Sequence, residues 1–350
     1  MRARKSLPVA VAPPARLQDL TPRQRQVLEA LVRQYLRTAH PVSSERLAPE
    51  CAGSWSPATL RHAMLDLDSL GLLEQPHPSA GRVPSDRGYR LFVNALREPQ
   101  PLSDEESRAV EAVLADSVRD VEHLLGQASR LLAERSEQLG FAVAPRLEEG
   151  QLAGLDLVSV GERRLLLVLT VRSGVVRSTV LQLTSPLSRS ELERVARILR
   201  ERLLGQSLAD VRRRLAEDGR LVHDSAVALV AGAAAEVLGR TSPPEVYVGG
   251  TARVARLPEF REAERLRPIL ELVDGTEPWC ALVGHAARPG LTITIGRENN
   301  RPELAHLSFV SFQLDGPVRA SVGLLGPTRM DYGRAMALVE FVGRRLSAML

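Results

Sequence analysis

The sequence predicts an α+β multidomain protein: an N-terminal winged helix-turn-helix, then a sheet-bearing domain interrupted by a mostly helical insertion. Three observations predict this. Three short amphipathic helices and a small hairpin fit within residues 20–98. Strand-like apolar runs stop near residue 183 and resume near 291, with helical periodicity between them. The positive charge excess sits in the first quarter of the chain: residues 1–98 hold 14 Lys and Arg against 9 Asp and Glu, leaving 32 against 33 for the remainder. A basic N-terminal domain of that layout suits a polyanionic partner.

The composition sets the frame. At 350 residues, 44% hydrophobic and 25% charged, the chain is that of an ordinary globular protein with two or three compact units. No apolar run approaches the ~18–20 residues of a membrane span, and the Pro-rich stretch after the basic Met1–Lys5 is no secretory signal, so a cytoplasmic protein without membrane contact is expected. Cys51 and Cys280 lie far apart without a CxxC partner, which predicts buried thiols rather than a disulfide framework or a metal site.

Residues 1–19, with Pro8, Pro13 and Pro14, read as a flexible tail. Thr21 and Gln24 have capping-box spacing, Pro22 suits the first helical position, and Val27, Leu28, Leu31, Val32, Tyr35 and Leu36 form one stripe. A short second helix fits Ser43 to about Pro49, and a turn through Gly53 leads to Ser56-Pro57, a second Ser cap followed by Pro. The third helix buries Leu60, Ala63, Met64, Leu67 and Leu70 and stops at Gly71. Leu72–Gln75 and Arg82–Pro84 flank a turn-rich tip and predict a hairpin; Ser85 caps a fourth helix, and Pro99 and Pro101 mark a linker.

Beyond the linker, Ser103 to about Gly140 reads as one long amphipathic helix. Residues 152–183 read as strands turning at Ser173-Gly174, and 190–275 as mostly helical with a short strand at 246–248. Strands return at 291–295, 307–314 and 318–325, the last two joined by an Asp315-Gly316 turn, before a C-terminal helix opened by Thr328 and Asp331. This gives boundaries of 20–98 for the winged helix, 99–188 with 276–350 for the interrupted domain, and 189–275 for the insertion.

In a winged helix the third helix enters the major groove, led by its first residues. Ser56, Thr59, Arg61 and His62 are the outward residues there. Arg61 has the fork for guanine, a neutral His62 offers one donor and one acceptor, and hydroxyls suit phosphates or base edges. Ser43 and Ser44 at the start of the second helix, and Arg82 beside the hairpin tip, complete the candidate DNA-binding set. Each also has a purely structural reading: Ser56 as a cap, the arginines as a solvated face. No catalytic, cofactor or metal site is predicted. GxxxxGK, GxSxG and HExxH are missing, and the seven His are scattered.

Longer stretches carry a resemblance. Ser56–Arg61, Asp68–Leu73 and Gln75–Arg90, then Tyr247–Thr251, Ile295–Asn299 and Gly326–Tyr332, are similar to the signatures of the HrcA family of heat-inducible repressors, in order from Leu20 to Leu350. His62 stands where the family usually has Asn, and Pro78 where it has a small polar residue. The resemblance implies a homodimer with a GAF-like domain interrupted by an inserted dimerisation domain. It also implies an inverted-repeat CIRCE operator in double-stranded DNA, repression of chaperone operons, and activity maintained by the chaperonin GroEL. Stripes such as Leu192, Val195, Leu199 and Leu203, or Val227, Val230 and Val237, are candidates for the dimer interface or for the insertion's own core. The alternative is a winged-helix repressor whose GAF-like domain binds a metabolite.

Overall fold

The computed structural model describes residues 20–51, 55–78, 80–96, 101–116, 121–144, 150–172, 176–221, 224–238, 245–283, 290–315 and 320–350. The expected tail at 1–19, the turns at Gly53, Ser173-Gly174 and Gly316, and Pro99 lie outside them. Among the described residues no helix is long and apolar enough to cross a membrane. The chain divides into two units.

The first unit holds the N-terminal residues together with Ile295–Ser308 and Pro327–Gly333. Helix α1 (Pro22–Thr38) opens on the Thr21–Gln24 capping box, with Pro22 in its first turn. Its buried stripe is Val27, Leu28, Leu31 and Val32. Helix α2 (Ser44–Leu47) is capped by Ser43 and runs into a 3-10 turn over Ala48–Cys51, with Cys51 buried. Helix α3 (Pro57–Ser69) buries Leu60, Ala63, Met64 and Leu67; Leu70, expected inward, is partly exposed at the end of the helix. Strands β1 (Leu73–Glu74) and β2 (Val83–Pro84) pair antiparallel, Leu73 opposite Pro84. A bridge from Val42 to Arg82 adds a third arm. Helix α4 (Asp86–Ala95) follows, capped by Ser85.

In the second unit the stretch expected as one helix is two, α5 (Asp104–Asp116) and α6 (Val121–Ser136), followed by β3 (Leu139–Val143). Glu137 takes a left-handed φ of 58° just after α6, and every residue of β3 is buried. A fully apolar central strand has no period-2 signal to separate it from a helical tail.

The strands expected at 152–183 as part of the interrupted sheet do not join it. Strands β4 (Leu152–Gly161), β5 (Arg164–Val171) and β6 (Val176–Gln182) form their own antiparallel sheet. Its inner face shares one core with helices α7 (Arg189–Leu203), α8 (Leu208–Leu221) and α9 (Ser225–Leu238). Leu165, Leu167 and Leu169 meet Val195, Leu199, Leu203, Val227 and Val230 in that core. The helical stripes weighed as interface therefore fill their own segment.

The interrupted sheet resumes at β7 (Val246–Gly249), which pairs with β3; the short strand assigned to the insertion belongs here instead. Helices α10 (Thr251–Val254), α11 (Ala263–Asp274) and α12 (Glu277–Val283) follow. Strands β8 (Gly290–Ile295), β9 (Leu307–Gln313) and β10 (Ser321–Pro327) complete a sheet of order β7-β3-β10-β9-β8. Phe141, Phe309 and the buried Trp279 form an aromatic cluster, with Phe141 and Trp279 ring centroids 4.9 Å apart. Helix α13 (Tyr332–Met349) closes the chain, its Ser347 hydroxyl accepting from the Asp315 N–H at the end of β9.

Candidate nucleic-acid interface

Local sequence fixes where α3 begins. Ser56 holds extended backbone, its hydroxyl accepts the Thr59 N–H at 3.2 Å, and Pro57 enters where no intrahelical donor is needed. The Ser56 and Thr59 hydroxyls are also bonded to each other at 2.9 Å. With Leu60, Ala63, Met64 and Leu67 turned into the core, the helical period puts Arg61, His62, Leu65 and Asp66 outward. Leu65 is 47% exposed, a large apolar side chain one turn beyond Arg61.

Ser43, Ser44, Glu45, Arg61, Gln75 and Arg82 line one cleft of about 400 Å³ between α2, α3 and the hairpin. Four of the seven sequence-predicted residues thus come together, while Ser56, Thr59 and His62 stand outside the cleft on the first turns of α3. Their settings differ. The Ser43 hydroxyl caps α2 by accepting the Arg46 N–H, and Ser44 is buried. Arg61 and His62 are exposed.

Arg82 is placed otherwise. Its side chain is only 12% exposed and pairs with Asp68 of α3 at 3.0 Å. Its backbone exchanges both hydrogen bonds with Val42, at 2.8 and 2.9 Å. The preceding Gly81 allows that approach, because a Cβ there would lie 2.3 Å from the Val42 carbonyl oxygen. Arg82 therefore fastens the base of the hairpin to the helix it accompanies.

Three contributors escaped the sequence reading. Gln75 donates its amide to the carbonyls of Pro78 and Ala80, at 2.9 and 3.0 Å, tying the hairpin tip to its first arm. Asp68 is the partner of Arg82. Glu45 stands exposed beside Ser43; its own backbone N–H and the Ser43 hydroxyl hold its carboxyl below the usual range, and Arg61 adds a smaller pull in the same direction. The four-residue spacing of a capping box is legible in a sequence. Contacts that exist only after the hairpin folds back are not.

Comparison with known proteins agrees with this geometry. Residues 19–97 match the family model described as winged helix-turn-helix transcription repressor, HrcA DNA-binding, and residues 122–336 match that of the HrcA protein C-terminal domain. The heat-inducible transcription repressor HrcA of Moorella thermoacetica is 35% identical over 338 residues, covering 94% of this chain and 97% of that one. Its counterpart in Desulfitobacterium hafniense is 31% identical over 337 residues, with the same coverage. A crystal structure described only as that of a hypothetical protein at 2.2 Å resolution covers 94% of this chain and 98% of its own, with a TM-score of 0.64 at 27% identity. Family models over both units, and relatives similar along nearly their whole length, converge: the chain belongs to the HrcA family of heat-inducible transcription repressors.

Proposed function

We propose that the chain binds an inverted-repeat operator of the CIRCE type as a dimer, placing α3 of each copy in a major groove, and so represses chaperone operons. The observation that carries this reading is the outward face of α3, where Arg61 and His62 stand exposed beside a cleft closed on its far side by the hairpin. Arg61 supplies the bidentate contact to guanine and His62 a donor or acceptor to a neighbouring base edge. Leu65 is placed to meet a thymine methyl. Ser56, Thr59 and Ser43 take phosphates. Ser44 and Arg82 serve from beneath: the first is buried, and the second is committed to Asp68.

An inverted repeat needs two recognition helices related by a two-fold axis, hence a dimer. The five-stranded sheet with its helices is the GAF-like domain of this reading, and the β4–β6 insertion is the dimerising one. Maintenance by GroEL comes with the family resemblance.

The test is DNA binding at fixed salt to an inverted-repeat duplex and to a scrambled one. Arg61→Ala is expected to lose about 1–3 kcal/mol on the operator while leaving scrambled DNA nearly unchanged. Equal losses on both duplexes would make Arg61 a phosphate contact and remove it from base reading.

A further inference from the structure

The DNA-binding unit is not built from N-terminal residues alone. On α4, Arg90 donates through Nε to Glu298 at 2.8 Å and through a terminal nitrogen to the other carboxylate oxygen, a fork-on-fork pair. That second oxygen also accepts the Ile295 N–H at 2.9 Å, which closes the turn carrying Glu298. One helical turn earlier, Asp86 accepts the Arg297 N–H at 3.0 Å. Gly296 stands over this carboxylate at φ +55°, and a Cβ on it would lie 2.3–2.4 Å from Asp86 atoms. Buried Asn299 donates to the Leu304 and Leu307 carbonyls, at 3.2 and 2.9 Å, and pins the rest of the loop.

The second C-terminal segment grips the same domain elsewhere. Arg329 donates to the Leu36 carbonyl in the last turn of α1, at 2.7 Å. The Tyr332 ring lies 5.8 Å from that of Tyr89.

The path from α4 to the recognition helix is short. Ser85, which caps α4, sends its N–H to the Leu72 carbonyl at 3.1 Å and its hydroxyl to the Gly71 carbonyl at 2.7 Å. Gly71 and Leu72 are the residues that end α3 and enter β1. Whatever fixes the first turns of α4 also fixes the exit of α3 and the base of the hairpin.

We infer that Glu298, with Asp86 and Gly296, positions the recognition helix: the 296–304 loop holds α4, and α4 holds the end of α3 and the hairpin. These are positioning residues, since none of them faces the cleft at Arg61. The inference rests on the operator-binding reading for only one of its two readouts.

The experiment uses the full chain with Glu298→Gln, with Arg90→Gln, and with both. A further variant, Gly296→Ala, alters no charge. Amide hydrogen exchange, which involves no DNA, is followed in peptides covering 71–95 and in peptides of the β4–β6 sheet. Each variant is expected to exchange about tenfold faster in 71–95 and unchanged in β4–β6, with the double variant no worse than the worse single one. Operator affinity is expected to fall by about tenfold with the salt slope retained, because no phosphate contact has gone. Wild-type exchange at 71–95 in the Glu298 and Gly296 variants would overturn the inference whatever the DNA result. So would a uniform rise through β4–β6, or an Arg90→Gln loss that comes with a shallower salt slope. Faster local exchange with no operator binding even in the wild type would instead sink the operator reading and leave the positioning role standing.

Discussion

Tyr332 carries its hydroxyl into the protein interior, where it donates to the Thr328 carbonyl at 2.7 Å and bonds with Ser308 at 2.8 Å. Burial, above all, pushes this phenol well above its ordinary value; Ser308 and Arg90 pull the other way by less. A phenol raised in the folded state contributes stability that is complete below its unfolded pKa of about 10 and is lost as pH climbs from there toward the folded value. The chain is therefore expected to lose stability above about pH 10, and Tyr332→Phe to flatten that loss while costing roughly 1 kcal/mol near neutrality for the bonds it removes. Urea midpoints from pH 7 to 11 check this, and parallel curves for both proteins would exclude Tyr332 as the titrating group. Residues of this kind mark the limit of local reading. Ser56 declares itself as a cap because its partner Thr59 is three positions away. Arg82 and Asp68 look like two solvated charges until the hairpin folds, and Glu298 looks like a strand-end residue until Arg90, 208 positions earlier, is beside it.

Elements show the same division between what is written locally and what is settled by packing. Apolar runs at 165–170 and 175–183 announce strands, and periodicity announces helices α7 and α9. Period-2 alternation tells which residues share a face but not which sheet a strand joins. That is why β4–β6 read as part of the interrupted sheet when, among the described residues, they form a sheet of their own, and why β7 read as part of the insertion. Once paired, β5 alternates buried Leu165, Leu167, Leu169 and Val171 with partly covered Leu166, Val168 and Thr170. The outer face then sets Val158 and Val180 on either side of Leu166, with both valines about half exposed. Val176, 60% exposed, extends the patch. Since the stripes of α7 and α9 are spent on the internal core, this face is an apolar surface, among the described residues, that suits the proposed dimer. Val158→Lys with Val180→Lys is expected to give a monomer by sedimentation, with unchanged circular dichroism because both side chains are exposed. Binding to the inverted repeat should fall at least tenfold, and binding to a single half-site should hold. A variant that still sediments as a dimer would move the interface elsewhere, α5 being the next amphipathic element to test.

For the whole molecule, the long-range pairings set how it can fold. β3, at 139–143, lies between β10, at 321–325, and β7, at 246–249, so the central sheet is complete only when segments about 180 residues apart meet. The DNA-binding unit waits as well, because Ile295–Ser308 and Pro327–Gly333 are part of it. Until then the fully buried strand β3 is exposed in a chain whose central pairings are long-range, and such segments invite aggregation and chaperone capture. A shift of only about 1.4 kcal/mol changes the ratio of folded to unfolded protein tenfold, so if native stability is marginal a modest temperature rise lowers the folded fraction and operator binding with it. Refolding from denaturant is therefore expected to return several-fold more operator-binding protein with GroEL and ATP than without. The gain should shrink when an unfolded competitor protein occupies the chaperonin. Equal recovery in all three conditions, with binding then switched by a dialysable small molecule, would sink the proposed chaperonin link and favour ligand sensing instead.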